Sequence, residues 1–321
     1  AAITRAVTAG GPTKPNTKQS TAMVGDNFQY KLGPPDSGFS LFLAERTKKI
    51  HFIRHAEGEH NVLTEKTGTN KCLHRKEGQM AQEHPLWDAR LTPKGIHQAE
   101  QLREYLANRP SGSRPYTAFD LVVVSPLTRT LETANHIFGP ARRPGTPVFL
   151  AESDKETGAP APKILVREEC RERWGEYVCD GRRPIKEIMP EFPHFDFSEV
   201  ENDEDAFYTQ DEREPDELCC ERAVLFLEWL NKRPEKCIAV VTHSSFLRHL
   251  FMEFGDNTSA EDKDKLKRVA ANCELRSVVM CSHGVKDGAP LSKSMSAYAN
   301  TPSSTIDMGD LGEPIVHVVK K

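Results

Sequence analysis

Arg54 and His55 close a short apolar run, Ile50-His51-Phe52-Ile53, and lead into Ala56-Glu57-Gly58-Glu59-His60-Asn61. A guanidinium beside an imidazole is the pairing that phosphoryl transfer to histidine requires. The ring nitrogen attacks phosphorus while the arginine fork holds the equatorial oxygens. Two further segments break off an apolar run in the same way. Phe119-Asp120-Leu121-Val122-Val123-Val124 gives way to Ser125-Pro126-Leu127-Thr128-Arg129, and Cys237-Ile238-Ala239-Val240-Val241-Thr242 delivers His243 ahead of Ser244-Ser245. Any one of these residues alone reads as an ordinary core or surface group. Three of them at the ends of three apolar runs make a pattern, and the pattern is cationic.

The elements that must position these residues follow from periodicity. Short apolar runs bounded by turns read as buried strands, here near 50–53, 119–124, 164–166, 237–242 and 274–281. Parallel strands bring their carboxyl ends together, where ligands of open α/β sheets bind, so His55, Arg129 and His243 are expected to converge. Leu91-Thr92-Pro93-Lys94-Gly95 opens a helix with Thr92 as N-cap and Pro93 in the first turn. Its apolar face carries Ile96, Ala99, Leu102 and Leu106. A second helix begins around Ser125-Thr130 and places Arg129 in its first turns, where the dipole disfavours a cation and a bound anion would explain it. A third spans 217–232, with Ala223, Val224, Phe226, Leu227 and Leu230 facing the core.

Between these elements, residues 58–90 read as an irregular loop and 139–162 as a Pro/Gly-rich connection. Arg167-Glu168-Glu169-Cys170-Arg171-Glu172-Arg173-Trp174-Gly175 offers three carboxylates, one of which could protonate a leaving oxygen. Arg182 and Arg183, with Arg90 and Lys94, either recognise a second anionic group on the substrate or are surface charges. The acidic stretch 198–218 reads as a solvated surface segment, without the ordered alternation of a calcium loop. His51 and His55 have the spacing of a helical zinc pair, but on a strand they stand too far apart for one ion, so no metal site is expected.

The bulk numbers bound the rest. At 321 residues and 36.0 kDa, with 37% hydrophobic and 28% charged residues, the chain has the composition of a globular protein able to bury a full core. No apolar run approaches the roughly 20 residues of a membrane span. A net charge of −4 argues against general nucleic-acid binding while leaving room for a local cationic pocket. Eight scattered cysteines without paired Cys-x-x-Cys spacing read as reduced thiols, the adjacent Cys219 and Cys220 included. Residues 1–46, rich in Gly, Pro, Ser and Thr with no acidic residue before Asp26, read as an N-terminal extension. It is either the residue of an organellar transit peptide or a surface-wrapping segment. Residues 47–321 are then one domain with a C-terminal tail, in the cytoplasm or in an organelle such as a plastid or mitochondrion. Nothing in the chain specifies an oligomeric state.

Taken together, these segments resemble the histidine phosphatase superfamily, which has the phosphoglycerate mutase-like fold. Its Arg-His-Gly opening is similar to Arg54-His55-Ala56, with Glu57 and Asn61 at matching offsets. Its Ser-x-x-x-Arg element resembles Ser125 to Arg129, its second histidine His243 in Val-Thr-His-Ser, and its Leu-Thr-x-x-Gly-x-x-Gln stretch Leu91 to Gln98. The likeness runs from about residue 49 to 255. It is closest to the plant, fungal and protist phosphoglycerate mutase-like proteins through Cys-Arg-Glu, Cys-Asp-Gly-Arg-Arg and Glu-Asn-Asp-Glu-Asp.

The resemblance implies a three-layer α/β/α sandwich around a mostly parallel sheet, and a phosphomonoesterase acting through phosphohistidine on a small phosphorylated metabolite. It implies His55 as nucleophile, with Arg54, Arg129 and His243 binding the phosphoryl group, Asn61 assisting, and a carboxylate as acid and then base. Three cationic donors would stabilise the transferring group without metal or other cofactor. His243 works best protonated and His55 neutral, so their pKa values are expected to be pushed apart. Two departures stand out: Ala56 replaces the usual Gly, and the acid lacks the usual spacing to Gly175. Glu172 is ranked first for the acid, then Glu169 and Glu168. A phosphoglycerate mutase-type transfer, or a non-catalytic subunit of an organellar assembly that keeps the fold, are the alternatives.

Overall fold

Valine and isoleucine runs too apolar to leave a face in water form a sheet covered on both sides. The computed structural model describes residues 44–107, 119–140, 162–252 and 259–282. Most of the N-terminal extension, most of the 139–162 connection and the tail from Lys286 lie outside the described residues. The strands are β1 (Thr47–Arg54), β2 (Leu121–Val124), β3 (Lys163–Val166), β4 (Phe195–Asp196), β5 (Cys237–Thr242) and β6 (Leu275–Cys281), in the order β4-β3-β2-β5-β1-β6. All neighbours are parallel except β6, which runs antiparallel on β1. The helices are α1 (Glu59–Thr67), α2 (Pro93–Ala107), α3 (Thr128–Phe138), α4 (Ile185–Ile188), α5 (Asp216–Lys232), α6 (Ser244–Met252) and α7 (Ala260–Lys267).

Alternation along the strands divides the core into two layers. Ile53, Val122, Val124, Ile164, Val166, Ala239 and Val241 pack with residues of α2, α3 and α4 on one face. Ile50, Phe52, Leu121, Val123, Leu165, Ile238 and Val240 pack with α5 and α6 on the other. The expected three-layer sandwich is therefore the fold. Each such side chain contributes about 1.5–3 kcal/mol by leaving water, and the sheet they hold together is what fixes the site. No helix among the described residues is long and apolar enough to cross a membrane, and all eight cysteines are unbridged.

Three regions differ from the sequence reading. The stretch 58–90 contains α1 and short 3-10 turns around a small core of Leu73, Ala81, Leu86, Ala89, Val178 and Cys179. Neither the two-residue β4 nor the highly charged α7 carries enough pattern to be seen in advance. The acidic stretch 198–218 is not simply solvated, because it folds over two buried arginines. Asp205 meets Arg171 at 2.7 and 2.8 Å. Arg182 has a fully buried side chain. It donates to Glu168 at 2.8 Å and to the carbonyl oxygens of Asn202, Asp203 and Glu204 at 2.7, 2.5 and 3.0 Å. A guanidinium can satisfy that many loop carbonyls at once because its five N–H donors lie in one plane.

Arg182 therefore holds the acidic segment in place. Removing one member of a buried ionic network leaves its partners uncompensated, so Arg182→Ala is expected to cost about 3 kcal/mol or more. Urea unfolding checks this; an unchanged midpoint would return Arg182 to the status of a surface charge.

Candidate active site

Strand register brings the site together. Arg54 is paired with Thr242 and Val124 with Val241, so β1, β2 and β5 end at one level. Backbone bonds extend the alignment one residue further: His55 N–H donates to Thr242 O at 2.8 Å, and Ser125 N–H to Val241 O at 3.1 Å. His55 and His243 consequently lie side by side, with ring centroids 5.2 Å apart. Both are buried.

The state of His55 is set by its own loop. Its Nδ1 lies 2.7 Å from Ala56 O. A carbonyl oxygen only accepts, so Nδ1 carries the proton and Nε2 keeps its lone pair. Burial, then Arg129, Arg54 and His60, hold the ring well below the usual histidine range, so it is neutral at physiological pH. Ala56 is accommodated because its backbone is not among the positive-φ residues and its methyl is buried in the core. Its N–H donates to Thr133 Oγ1 at 3.0 Å. The Leu-Thr-Pro-Lys-Gly stretch braces the same loop. Thr92 caps α2 by accepting from Gly95 N–H at 3.0 Å, as expected, and also donates to Glu57 at 2.8 Å. Gly95 lies so close to Glu57 that a Cβ there would come within 2.1 Å of its carbonyl oxygen.

Two arginines face these histidines. Arg129, the second residue of α3, is buried and donates to Cys179 O and to Asp180 Oδ1, the latter at 3.0 Å. Asp180 is held in turn by Arg213 at 2.8 Å. Arg54 donates to Ala270 O at 2.7 Å. Burial pushes it down to about 10, with Arg129 adding to that fall while Glu172 and Glu274 oppose it. The Nε atoms of both arginines are buried without a hydrogen-bond partner among the described residues. Asn61 accepts from Gly58 N–H at 3.0 Å and from Asn272 at 3.1 Å through its carbonyl oxygen. Both bonds use only the oxygen half of the amide.

His243 pairs its Nε2 with Ser125 Oγ at 2.8 Å, while its Nδ1 is buried and unpartnered among the described residues. Its pKa is not driven apart from that of His55. Burial, then Arg129, His55 and His60, hold it well below the usual range as well, because both rings share one cationic surrounding.

Of the three carboxylates, Glu172 is the one at this site. Its oxygens accept from the backbone N–H groups of Arg173, Ser245 and Phe246 at 3.0, 3.2 and 2.9 Å. It thus sits on the first turn of α6, directly after His243. Glu169 is paired with Arg167, and Glu168 with Arg171 and Arg182. The cations offered for a second anionic group are also engaged: Arg90 with Glu132 and Glu191, Lys94 with Glu57, and Arg183 with Glu191 and Asp88.

No local pattern in the sequence singles out Asp180, Arg213, Asn272 or His60 for this site. His60 belongs to a segment without strong periodicity, yet it is buried and its ring centroid is 5.4 Å from that of His55. Among the described residues no group of three or more His, Cys, Asp and Glu is arranged to hold a metal ion.

Residues 50–286 match the family model described as the histidine phosphatase superfamily, branch 1. A phosphoglycerate mutase-like protein of Arabidopsis thaliana is 35% identical over 258 residues, covering 78% of this chain and 90% of its own. A probable phosphatase of Schizosaccharomyces pombe is 25% identical, over 63% of this chain and 76% of its own. Among solved structures, a phosphoglycerate mutase from Bacillus anthracis is similar with a TM-score of 0.43 and 17% identity, over 75% of this chain and 91% of its own.

The three buried histidines carry a consequence for stability. His55, His60 and His243 all titrate well below the ordinary histidine value in the folded protein. Below about pH 6.5 the unfolded chain therefore binds protons that the folded chain does not. Stability is expected to fall as pH drops through that point, by up to about 1.4 kcal/mol per pH unit for each histidine. Urea midpoints between about pH 7.5 and 5.5 test it, and inorganic phosphate, by supplying a counter-charge, should flatten the slope.

Proposed function

Because the chain belongs to the histidine phosphatase superfamily, we propose that it hydrolyses phosphomonoesters of a small metabolite through a phosphohistidine on His55. One observation carries this reading. His55 is buried beside two arginines, with its Nδ1 proton committed to Ala56 O and its Nε2 lone pair free. That is the protonation state a nitrogen nucleophile needs.

In the first step His55 Nε2 attacks phosphorus opposite the ester oxygen, the N–P bond forms, and the alcohol departs. Arg54 and Arg129 receive the phosphoryl oxygens through N–H groups that have no other partner, including both Nε atoms. The amide of Asn61 and the ring of His243 add two more donors. Fixed donors out of water stabilise the charge that develops on the equatorial oxygens, since they need no reorganisation as the reaction proceeds. The incoming dianion also raises His243, which then donates from both ring nitrogens. In the second step the oxygen of water attacks phosphorus, the N–P bond breaks with its electron pair returning to His55, and phosphate leaves.

Glu172 is the carboxylate proposed from the sequence as acid and then base. It would have to loosen three backbone hydrogen bonds to reach the leaving oxygen. If it acts chiefly by holding the first turn of α6, Glu172→Gln should lower stability by about 1 kcal/mol.

The decisive test is hydrolysis of a generic phosphomonoester in excess chelator by the native protein and by His55→Ala. Turnover that survives chelation and falls by roughly a thousandfold or more in the variant supports the proposal. Arg129→Ala should cost about 10²–10³ in kcat by removing a donor to the phosphoryl oxygens. A phosphate that persists on His55 and returns to a second hydroxyl would mark a mutase. A protein that acquires no phosphate from any phosphorylated metabolite would be a binding subunit.

A further inference from the structure

The turn that leads into β6 holds Arg54, His55 and Asn61 at once. Arg54 N–H donates to Glu274 O at 3.1 Å, and the Arg54 guanidinium to Ala270 O at 2.7 Å. Cys273 N–H donates to His55 O at 3.1 Å. Asn272 adds its side chain. Its Nδ2 donates to Asn61 Oδ1 at 3.1 Å and, over a distance longer than such bonds usually have, to His55 O at 3.4 Å. One amide group therefore joins the backbone of the nucleophile to the side chain of Asn61.

The turn is held in an unfavourable shape. Cys273 lies at φ +57°, the left-handed region that a residue with a Cβ enters at a cost. Glu274 closes the turn by accepting from Ala271 N–H at 2.6 Å, from Arg268 at 2.5 and 2.9 Å, and from Arg276 at 2.8 Å. Strain of this kind persists where the surroundings over-determine it, and it collects at functional sites. Here the strained residue follows directly on Asn272.

An asparagine amide can be presented either way round, and the two ways are opposite toward an anion: the NH₂ donates and the oxygen only accepts. Asn61 Oδ1 accepts from Gly58 N–H at 3.0 Å as well as from Asn272. Turning the Asn61 amide over would set its NH₂ against both of those donors and lose both bonds. Leaving donors without acceptors costs more than an ordinary hydrogen bond gains. We propose that Asn272 is a positioning residue for phosphoryl transfer, which fixes the orientation in which Asn61 offers its NH₂ to the phosphoryl oxygens. The role rests on the phosphohistidine reading and on Asn61 as a donor within it. Asn272 acts on the substrate through Asn61, because its own Nδ2 is engaged by Asn61 Oδ1 and His55 O. The His55 carbonyl keeps the shorter bond from Cys273 N–H if Asn272 is replaced.

The test is a double-mutant cycle on kcat/KM for 4-nitrophenyl phosphate, with phosphate on His55 measured after rapid mixing. It compares the wild type, Asn61→Ala, Asn272→Leu and the variant carrying both changes. Leucine keeps the size of asparagine and removes its donor; Asn272→Ala serves if Asn272→Leu does not fold. Asn61→Ala is expected to lower kcat/KM by roughly 10- to 100-fold, the value of a hydrogen bond to a charged group. Asn272→Leu should lower it by about tenfold alone, yet by less than about twofold when Asn61 is already alanine, because the two residues then have no interaction left to lose. A turn that was merely loosened would slow both backgrounds alike.

Losses that multiply, an Asn272→Leu variant at the wild-type rate, or an Asn61→Ala variant without effect would overturn the role of Asn272 while leaving phosphohistidine chemistry intact. A wild type that neither hydrolyses the ester nor acquires phosphate on His55 would overturn both.

Discussion

The parallel pairing of β1 with β5, and of β5 with β2, is the constraint on which the rest of the protein depends. Its register ends three strands at one level, so the residues that follow them are neighbours although nearly two hundred positions separate the first from the last. A slip of one residue would turn every alternate side chain to the opposite face. Both faces are buried and carry different helices, so such a slip would cost the packing of both layers. The geometry of the site thus inherits its precision from the hydrophobic core rather than from contacts within the site.

Inside that frame, the fold gathers two arginines and three neutral histidines out of water. Arg54, Arg129, His55, His60 and His243 lie together, and several of their nitrogens have no partner among the described residues. Buried polar groups are ordinarily satisfied, and an arrangement that leaves several unsatisfied persists only where its surroundings over-determine it. Here the surroundings are specific. Asp180 and Arg213 lock Arg129, the Ala270 carbonyl holds Arg54, and Glu172 fastens the helix that begins beside His243. Asp180 engages one nitrogen of Arg129, while the Nε atoms of Arg54 and Arg129 keep no partner among the described residues. This also accounts for two rings titrating in the same direction where opposite directions were expected: one shared cationic surrounding acts on both.

Farther out, buried charges hold the loops around the site together. Arg171 and Arg182 are buried beside carboxylates and loop carbonyls, and they tie the acidic segment to the loop that carries Asp180. From the chain alone, Arg182 reads either as a ligand for a second anionic group or as a surface charge, and the acidic run as solvent-facing. Arg182 is instead buried, because the two segments satisfy one another.

Much of the protein could be read from the sequence by itself. The apolar runs marked five of the six strands, all but the two-residue β4. Thr92 and Pro93 announced the start of α2, while Arg54, His55, Arg129 and His243 were visible as polar groups at the ends of apolar runs. All of these are local signals, since strand periodicity, capping and run endings depend on residues a few positions apart. Tertiary structure alone decided the rest. That Glu172 caps α6, that Arg182 is buried, that Asp180 holds Arg129, and that His60 lies against His55 are facts about segments brought together by sheet order. No periodicity records them, because the energy of a buried charge or an unpaired ring nitrogen depends on what surrounds it in space.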